Sequence, residues 1–171
     1  LGQQLFPTWV NLTEYPHLLR GAGSAAFDGE GVATRDHCIV DAGVLKDYLL
    51  SSYSARRLGL KTTGNSGGVR NLLLMPGGGT GSNLMDGVTS GLYVTEVMGQ
   101  GVNLVTGDYS RGATGFWVEN GRIAYPVHEV TVAGNLRDMY RGIVEVGSDV
   151  DVRGGIRTGS ILVEQMTVAG A

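Results

Sequence analysis

Apolar and polar positions alternate on both sides of Asn120-Gly121, and this pattern predicts a β-hairpin. An Asn-Gly pair between alternating segments favours a two-residue turn, and such a turn sets the register of both strands. The predicted register pairs Glu119 with Arg122, Val118 with Ile123, Trp117 with Ala124 and Phe116 with Tyr125. Because side chains alternate between the faces of a strand, one apolar face should contain Phe116, Val118, Ile123 and Tyr125. The ladder should stop where Gly115 meets Pro126, since proline has no N–H to donate.

Short apolar segments bounded by turn residues predict several more strands. One strand is expected over residues 35–40, followed by a turn at Asp41-Ala42-Gly43 and a returning strand over residues 44–50. The segments LYVTEVM and GSILVEQMTVAG predict two further strand regions. Strands therefore dominate the predicted secondary structure.

Helix patterns are short and few. In SSYSARRLG, Ser51 or Ser52 is the expected N-cap and Gly59 the expected C-cap. A second helix is predicted to start at Ser82, run through NLMDGVTS and end at Gly91. A third is predicted in NLRDMYRGI, where one helical face would contain Leu136, Met139, Tyr140 and Ile143.

Length and composition predict one domain, residues 1–171, of the α+β class and mainly β. The chain has 171 residues, enough for a single hydrophobic core, and its 29 glycines separate short strands without a collagen period. We expect packed antiparallel sheets, sandwich-like or barrel-like, with two or three short helices.

Charge and cysteine content limit the possible partners. The 13 Lys and Arg residues against 16 Asp and Glu give a net charge of -3, and no basic face is evident, so direct nucleic-acid binding is not expected. No apolar run is long enough to span a membrane. The single cysteine, Cys38, excludes an internal disulfide and suits a reducing compartment. These features indicate neither a membrane location nor secretion.

The three histidines do not have the spacing of a metal site. His128-Glu129 begins like H-E-x-x-H, but the position four residues after His128 is Val132. His37 and Cys38 are adjacent on a predicted strand, so their side chains should point to opposite faces and cannot form a Cys-His dyad. Cys38 is expected to be a buried small apolar residue. We predict no metal ligands and no catalytic residue on this chain.

Two glycine-rich segments are candidate sites. PGGGTGS lacks the lysine that a phosphate-binding P-loop requires, so it is interpreted as a mobile connection. GDYSRG places Asp108, Tyr109, Ser110 and Arg111 between predicted strands, where a charged turn is usually only solvated. No G-x-S-x-G elbow surrounds Ser110, but a metal-independent hydrolase that uses Ser110 as its nucleophile is kept as an alternative hypothesis.

Four long blocks resemble the C-terminal part of the TldD/PmbA family, on its PmbA (TldE) side. They are FPTWVNLTEYPHLLRGAGSAAFDGEG, YSARRLGLKTTGN, GVNLVTGDYSRGATGFWVENGRIAYP and GNLRDMYRGIVEVGSDV. The resemblance covers essentially the whole chain. It implies a C-terminal domain whose N-terminal domain is not in this sequence, and a cytoplasmic metallopeptidase complex that cuts unfolded peptides, including microcin precursors and antitoxins.

The resemblance also implies where the metal lies. TldD-type subunits hold zinc through an upstream H-E-x-x-x-H motif and a C-terminal cysteine, whereas residues 156–159 of this chain are IRTG, without cysteine. PmbA-type subunits are regarded as the metal-free members. Zinc is therefore expected on a TldD-like partner, and this chain alone is expected to be inactive.

The resemblance raises two polar segments as candidates for lining a substrate cavity or subunit interface. They are Thr62, Thr63, Gly64 and Asn65, and Asp108, Tyr109, Ser110 and Arg111. Glycine beside them allows close backbone approach, and peptide backbones are commonly held by strand addition. Partners would be a TldD-like subunit in a heterodimer, or a second copy in a homodimer, and unfolded peptides. The competing hypothesis is a non-enzymatic structural or binding domain.

Overall fold

The computed structural model describes residues 1–78 and 84–170. Over these residues the chain is mainly β, with two short helices. The strands are β1 (Leu12–Glu14), β2 (His37–Asp41), β3 (Val44–Leu45), β4 (Leu72–Leu74), β5 (Ser90–Met98), β6 (Asp108–Glu119), β7 (Arg122–Asn135), β8 (Ile143–Val146), β9 (Ile156–Arg157), β10 (Ile161–Val163) and β11 (Thr167–Ala169), and the helices are α1 (Ser52–Leu58) and α2 (Leu136–Arg141). The predicted mainly β, α+β class is confirmed.

The chain folds as two compact units: the first unit is residues 1–78 with 146–161, and the second is residues 79–145 with 162–171. A five-stranded sheet in the order β3-β2-β1-β4-β9 lies in the first unit, and a four-stranded sheet in the order β11-β7-β6-β5 lies in the second. β8 and β10 form a two-stranded sheet. Within the five-stranded and four-stranded sheets the pairs are antiparallel except β4 with β9, and the described strands form open sheets, with no closed barrel among them.

Each unit has its own apolar core. In the first unit, Val10, Ile39 and Val40 are buried together, with Leu12, Leu72 and other half-buried side chains packed against them. In the second unit the buried cluster is formed by Ala113, Val130 and Val132. Val130 and Val132 of the second cluster follow the alternation of β7, whereas Ile39 and Val40 of the first are adjacent in β2 and both buried.

The β2–β3 hairpin confirms the predicted turn but corrects the length of its second strand. Ala42 and Gly43 both have positive φ, as a tight two-residue turn requires. β3 ends at Leu45 and does not continue to residue 50. The Leu50 N–H is instead bonded to the Thr63 side chain at 2.7 Å, so the chain leaves the sheet before α1.

Two of the three predicted helices are confirmed, α1 with both of its predicted caps. Ser51 accepts from the N–H of Ser54 at the start of α1, and Gly59 ends it in the left-handed conformation with φ 67°. Asn135 caps α2. Ile143, which was predicted on the apolar face of the third helix, lies instead in β8, because α2 ends at Arg141. The helix predicted from Ser82 is wrong over its described part: residues 84–87 form turns, and a bond from the Val88 N–H to the Met85 carbonyl closes one of them. Ser82 and part of PGGGTGS lie outside the described residues.

The central hairpin confirms the turn and its first two pairs. Asn120 and Gly121 have φ of 49° and 76°, Glu119 pairs with Arg122, and Val118 pairs with Ile123. A register shift between Trp117 and Val118 then places Trp117 opposite Tyr125 and Phe116 opposite Pro126. The predicted pairs beyond Val118 are therefore wrong, and so is the apolar face: Val118 is buried, but Ile123 and Tyr125 are 49% and 51% exposed.

The ladder between β6 and β7 also continues past Pro126, as far as Asp108 with Asn135. The physical reason is the position of proline: β11 pairs with β7 at residues 131–133, so at Pro126 no described strand lies beside the outer side of β7. A missing N–H costs no ladder bond there. GDYSRG is consequently the beginning of a strand and not a turn.

Neither described helix is long or apolar enough to cross a membrane.

Candidate functional site

A buried carboxylate, Glu14, is the centre of a polar network in the first unit. Glu14 ends β1, and only 2% of its surface is exposed. Asn65 donates from Nδ2 to both carboxylate oxygens, at 3.0 and 2.8 Å, and the backbone N–H of Arg70 donates to Oε1. Such a carboxylate is stable inside a protein only because these donors replace water.

His37 lies between this carboxylate and a second one. Its Nε2 is 2.9 Å from Oδ2 of Asp47, which is a hydrogen-bond distance, and its Nδ1 is 3.8 Å from Oε2 of Glu14. An ionised carboxylate only accepts, so Nε2 donates to Asp47. The Glu14 contact is too long for a hydrogen bond and is a charge–charge contact. His37 is itself buried, whereas Asp47 is 39% exposed.

This environment changes both pKa values. The Glu14 carboxylate is the largest cause of a raised pKa for His37, and Asp47 adds to it against the opposing effects of burial and Arg35. Burial alone would raise the pKa of Glu14, but His37, Asn65 and the Arg70 N–H together outweigh it, and the pKa is lowered. Both shifts favour the charged pair.

The predicted segment of Thr62, Thr63, Gly64 and Asn65 supports this network from within. The Leu50 N–H donates to Thr63 Oγ1, which donates to Asn65 Oδ1 at 2.7 Å, and Asn65 in turn donates to Glu14. Gly64 has φ 79°, and an added Cβ would lie 2.8 Å from the Ala33 carbonyl oxygen. Thr63, Gly64 and Asn65 are buried and Thr62 is half-buried, so the segment faces the interior of the first unit.

The segment of Asp108, Tyr109, Ser110 and Arg111 lies in the second unit, at the start of β6. Asp108 and Ser110 are exposed and border an open cleft of about 340 Å³ that residues 100–103 also line. Tyr109 packs against the core cluster. Arg111 is half-buried; its Nη2 donates to the Val97 carbonyl at 3.4 Å, and its buried Nε has no hydrogen-bond partner.

The side chains of the described residues do not fit a zinc ion. No three His, Cys, Asp or Glu side chains within residues 1–78 and 84–170 are grouped so that they could hold a metal. His37 is engaged by Asp47 and Glu14, while Cys38 on the same strand is exposed. The predicted divergence of His37 and Cys38 is confirmed, but the predicted burial of Cys38 is wrong: strand alternation places His37, and not Cys38, inside.

Sequence reasoning missed the centre of the network. Glu14 stands alone in NLTEYP and carries no motif, and its partners Asn65 and His37 are distant in sequence. A second buried carboxylate, Asp28, was also missed; it accepts from the backbone N–H groups of Glu30, Val32 and Ser66. The only available signal was polar TTGN between glycine and apolar residues, which does not reveal its partner.

Comparison with known proteins identifies the class of domain to which this chain belongs. Residues 1–170 match the family model described as the PmbA/TldA metallopeptidase C-terminal domain. The chain therefore belongs to the PmbA/TldD family.

Relatives of known sequence and structure agree with this family. The chain is 52% identical to Metalloprotease PmbA of Escherichia coli O157:H7 over 99% of its own length and 38% of that protein. It matches crystal structures described as modulators of DNA gyrase from Thermotoga maritima (TM-score 0.86, 40% identity, 99% of this chain and 41% of that one) and Bacteroides thetaiotaomicron (TM-score 0.91, 34% identity, 100% and 39%). A TldD homolog of Buchnera aphidicola is only 24% identical, over 78% of this chain and 30% of that protein. The chain thus spans well under half of its relatives.

Proposed function

We propose that this chain is the C-terminal domain of a PmbA/TldE-like subunit in a cytoplasmic TldD–TldE-type metallopeptidase complex that cleaves unfolded peptides. The observation that carries the proposal is the contrast in identity, 52% to a PmbA protein against 24% to a TldD homolog. Microcin precursors and antitoxins are the substrates proposed from the family.

In this proposal the zinc is held by the TldD-like subunit, and this chain contributes residues to the substrate cavity and the subunit interface. A hydrolytic zinc site needs three protein ligands and an open position for water, and the described side chains offer no such group. When bound to its own subunit, zinc would activate the attacking water. The residues of this chain would bind and orient the peptide and exclude bulk water.

The second unit is the better candidate for such contacts. Asp108 and Ser110 are exposed beside an open cleft. Arg111, also on β6, carries a guanidinium whose buried Nε has no hydrogen-bond partner. A guanidinium there can donate to a peptide carbonyl or a partner carboxylate. The Thr62–Asn65 segment would act indirectly, because it holds the backbone of the first unit in place through Glu14.

Reconstitution tests this function. The purified chain should contain much less than one zinc per molecule and should cleave no unfolded peptide. Adding a TldD-like subunit should produce cleavage that a chelator abolishes. Stoichiometric zinc in the chain, or chelator-sensitive cleavage by the chain alone, would overturn the assignment to the metal-free subunit. Failure to form any complex with a TldD-like subunit would favour the non-enzymatic binding domain.

Arg111→Ala tests the contribution of β6 within that complex. The melting temperature should change little, while peptide cleavage or subunit affinity should fall by about tenfold, the equivalent of about 1.4 kcal/mol. Arg122→Ala, at the exposed end of the same hairpin, is the matched control and should leave both unchanged. Unaltered cleavage and unaltered assembly in the Arg111 variant would remove residues 108–111 from the proposed cavity and interface.

A further inference from the structure

A cavity of about 380 Å³ lies in the second unit, between α2, the end of β7 and the segment that leads into β11. Its volume is within the range of ligand pockets in proteins. From α2 it is lined by Asn135, Asp138, Met139 and Gly142, and their spacing of three and four positions places them on one face of the helix. We call it the α2 cavity; its lining is formed by residues 133–135, 138, 139, 142 and 164–167.

Backbone pairing holds the walls of the α2 cavity on two sides. Ala133 of β7 pairs with Thr167 of β11. At the other side, the Glu164 N–H donates to the Gly142 carbonyl at the end of α2, at 2.8 Å. The cavity is therefore formed before a ligand binds, and a preformed site loses less conformational entropy on binding.

The apolar part of the cavity is made by two methionines over a glycine. A Cβ added at Gly134 would lie 3.6 Å from Met139 Cγ and 3.7 Å from Met166 Cε. Both methionines are half-buried, and Met166 also packs against the buried cluster of the second unit. Thioether side chains are unbranched and polarizable, so they adapt to apolar groups of different shape and make favourable contacts with aromatic rings.

The rim of the cavity is polar and acidic. Asp138, Glu164, Gln165 and Thr167 line it and are exposed. None of these four side chains is hydrogen-bonded or ion-paired to another described residue. An amide and a hydroxyl can bond to the main chain of a peptide, and ionised carboxylates accept from a cationic side chain. The rim therefore offers free groups for both.

We propose that the α2 cavity binds one apolar side chain of an unfolded peptide and prefers a basic residue next to it. The apolar side chain lies against Met139 and Met166, and the lysine or arginine beside it lies near Asp138 and Glu164. The inference rests on the proposed function for the class of ligand, an unfolded peptide. It adds a site that shares no lining residue with the open cleft at β6.

The charge at the rim is the reason to expect a basic neighbour. Asp138 and Glu164 are the only charged residues among those that line the cavity, because Arg137 and Arg141 of α2 do not line it. Complementary charge selects between ligands more than it adds affinity, and like charge is rejected. An acidic peptide with the same apolar residue should therefore bind more weakly than a basic one.

NMR of methionine methyl groups tests the proposal on the purified chain. The chain has five methionines, and two of them line the cavity. The probe is an unstructured hexapeptide with one phenylalanine followed by two lysines. Its addition to chain with isotope-labelled methionine methyl groups should shift the signals of Met139 and Met166. The signals of Met75 and Met98, which do not line the cavity, should stay in place.

Gly134→Val should block the cavity without unfolding the chain. Gly134 has no positive φ, and its added Cβ meets both thioethers at ordinary contact distances. The variant should keep its circular dichroism and bind the peptide at least about tenfold more weakly, since one buried apolar side chain is lost from the complex. Gly87→Val is the matched control, because a Cβ there meets nothing within 4 Å, and it should bind as the unmodified chain does.

A second variant tests the charge and keeps the proposal falsifiable if Gly134→Val unfolds. Asp138→Asn combined with Glu164→Gln should weaken binding of the lysine peptide by about fivefold, as expected for two exposed ion pairs. It should not change the binding of a peptide with alanines in place of both lysines. In the unmodified chain, exchange of the phenylalanine for alanine, or of both lysines for glutamates, should weaken binding.

Several results would overturn the proposal. They are unchanged signals of Met139 and Met166, equal shifts at Met75 and Met98, and equal affinity for the lysine and glutamate peptides. Binding that disappears in a longer protein with the upstream domain would also overturn it, because a segment of the protein itself would then occupy the cavity. Cleavage by the reconstituted complex without binding here would remove only this site, whereas binding here without cleavage would remove only the peptidase function.

Discussion

Residues 62–65 of the first unit and residues 108–111 of the second are both short polar segments beside glycine, but their surroundings are opposite. Thr63 and Asn65 are buried, and they connect a backbone N–H to an interior carboxylate. Asp108 and Ser110 are exposed on a strand beside an open cleft. The first segment uses its hydrogen bonds to hold the fold together, whereas the second presents Asp108 and Ser110 at the surface.

Of the changes considered, removal of the Glu14 carboxylate should lower the free energy of unfolding most. A small loss would contradict the structural role given to the first segment. Glu14→Ala leaves the Asn65 amide and the Arg70 N–H without their acceptor inside the first unit, and it removes the carboxylate beside His37. We expect a loss of about 3–5 kcal/mol in the free energy of unfolding by urea denaturation. Glu119→Ala, which removes an exposed carboxylate, should cost about 0.5 kcal/mol or less. Equal losses would mean that the network is not structural.

A charge in the core of the second unit should have the next largest effect. Val118 is 2% exposed and Glu119, its neighbour in β6, is exposed. Val118→Lys should therefore lower the free energy of unfolding by at least about 2 kcal/mol, and Glu119→Lys by well under about 1 kcal/mol. Thermal melting of both variants measures the difference. Similar shifts would contradict the assignment of β6 faces.

The pH dependence of stability should distinguish the first unit from the second. The pKa of His37 is raised above 6.5, so its contribution is complete below pH 6.5 and is lost as pH rises through the raised value. The pKa of Glu14 is lowered below 4.5, so its contribution is complete above pH 4.5 and is lost as pH falls through the lowered value. Stability should be highest between these two pH values.

His37→Gln isolates the alkaline side of that profile. Asp28 also has a lowered pKa, since its carboxylate accepts three backbone N–H groups that outweigh the effect of burial, so the acidic side has more than one cause. Urea midpoints from pH 4 to 9 should fall above pH 6.5 in the unmodified chain and stay flat in the variant. Parallel alkaline slopes in the two proteins would exclude His37 as their cause.

The smallest expected effect is on Ser110. A fluorophosphonate probe should not label the chain, because Ser110 is exposed and its Oγ has no hydrogen bond to a histidine or carboxylate within the described residues, so no general base activates it. A serine hydrolase in the same mixture is the control. Labelling that is lost in Ser110→Ala would turn this exposed segment into a catalytic one.

Local patterns predicted much of the fold. Turn chemistry gave Asn120-Gly121 and its first two pairs, and capping residues gave both ends of α1. The register shift beside Trp117 was not predictable, because a bulge depends on packing and not on alternation. The burial of Cys38 was predicted from its residue type. The prediction was wrong because His37 occupies the buried face of β2, which places the neighbouring Cys38 on the exposed face.

The candidate site was predictable only in part for a similar reason. Polar residues at 62–65 and 108–111 stand out in the sequence, but what distinguishes them is the partner that folding brings to each. Asn65 meets Glu14 from 51 positions away. A local sequence pattern cannot predict a contact over that distance. The sequence alone therefore could not show which of the two polar segments is buried and which is exposed.

The alternation of β2 also gives this protein a built-in reporter. Its only cysteine is exposed and stands one residue from buried His37. A fluorophore attached to that thiol would be at a single chemical position on the strand that carries His37. Protonation of His37 could then be followed by fluorescence in the unmodified sequence, with no engineered attachment point and no second labelling site.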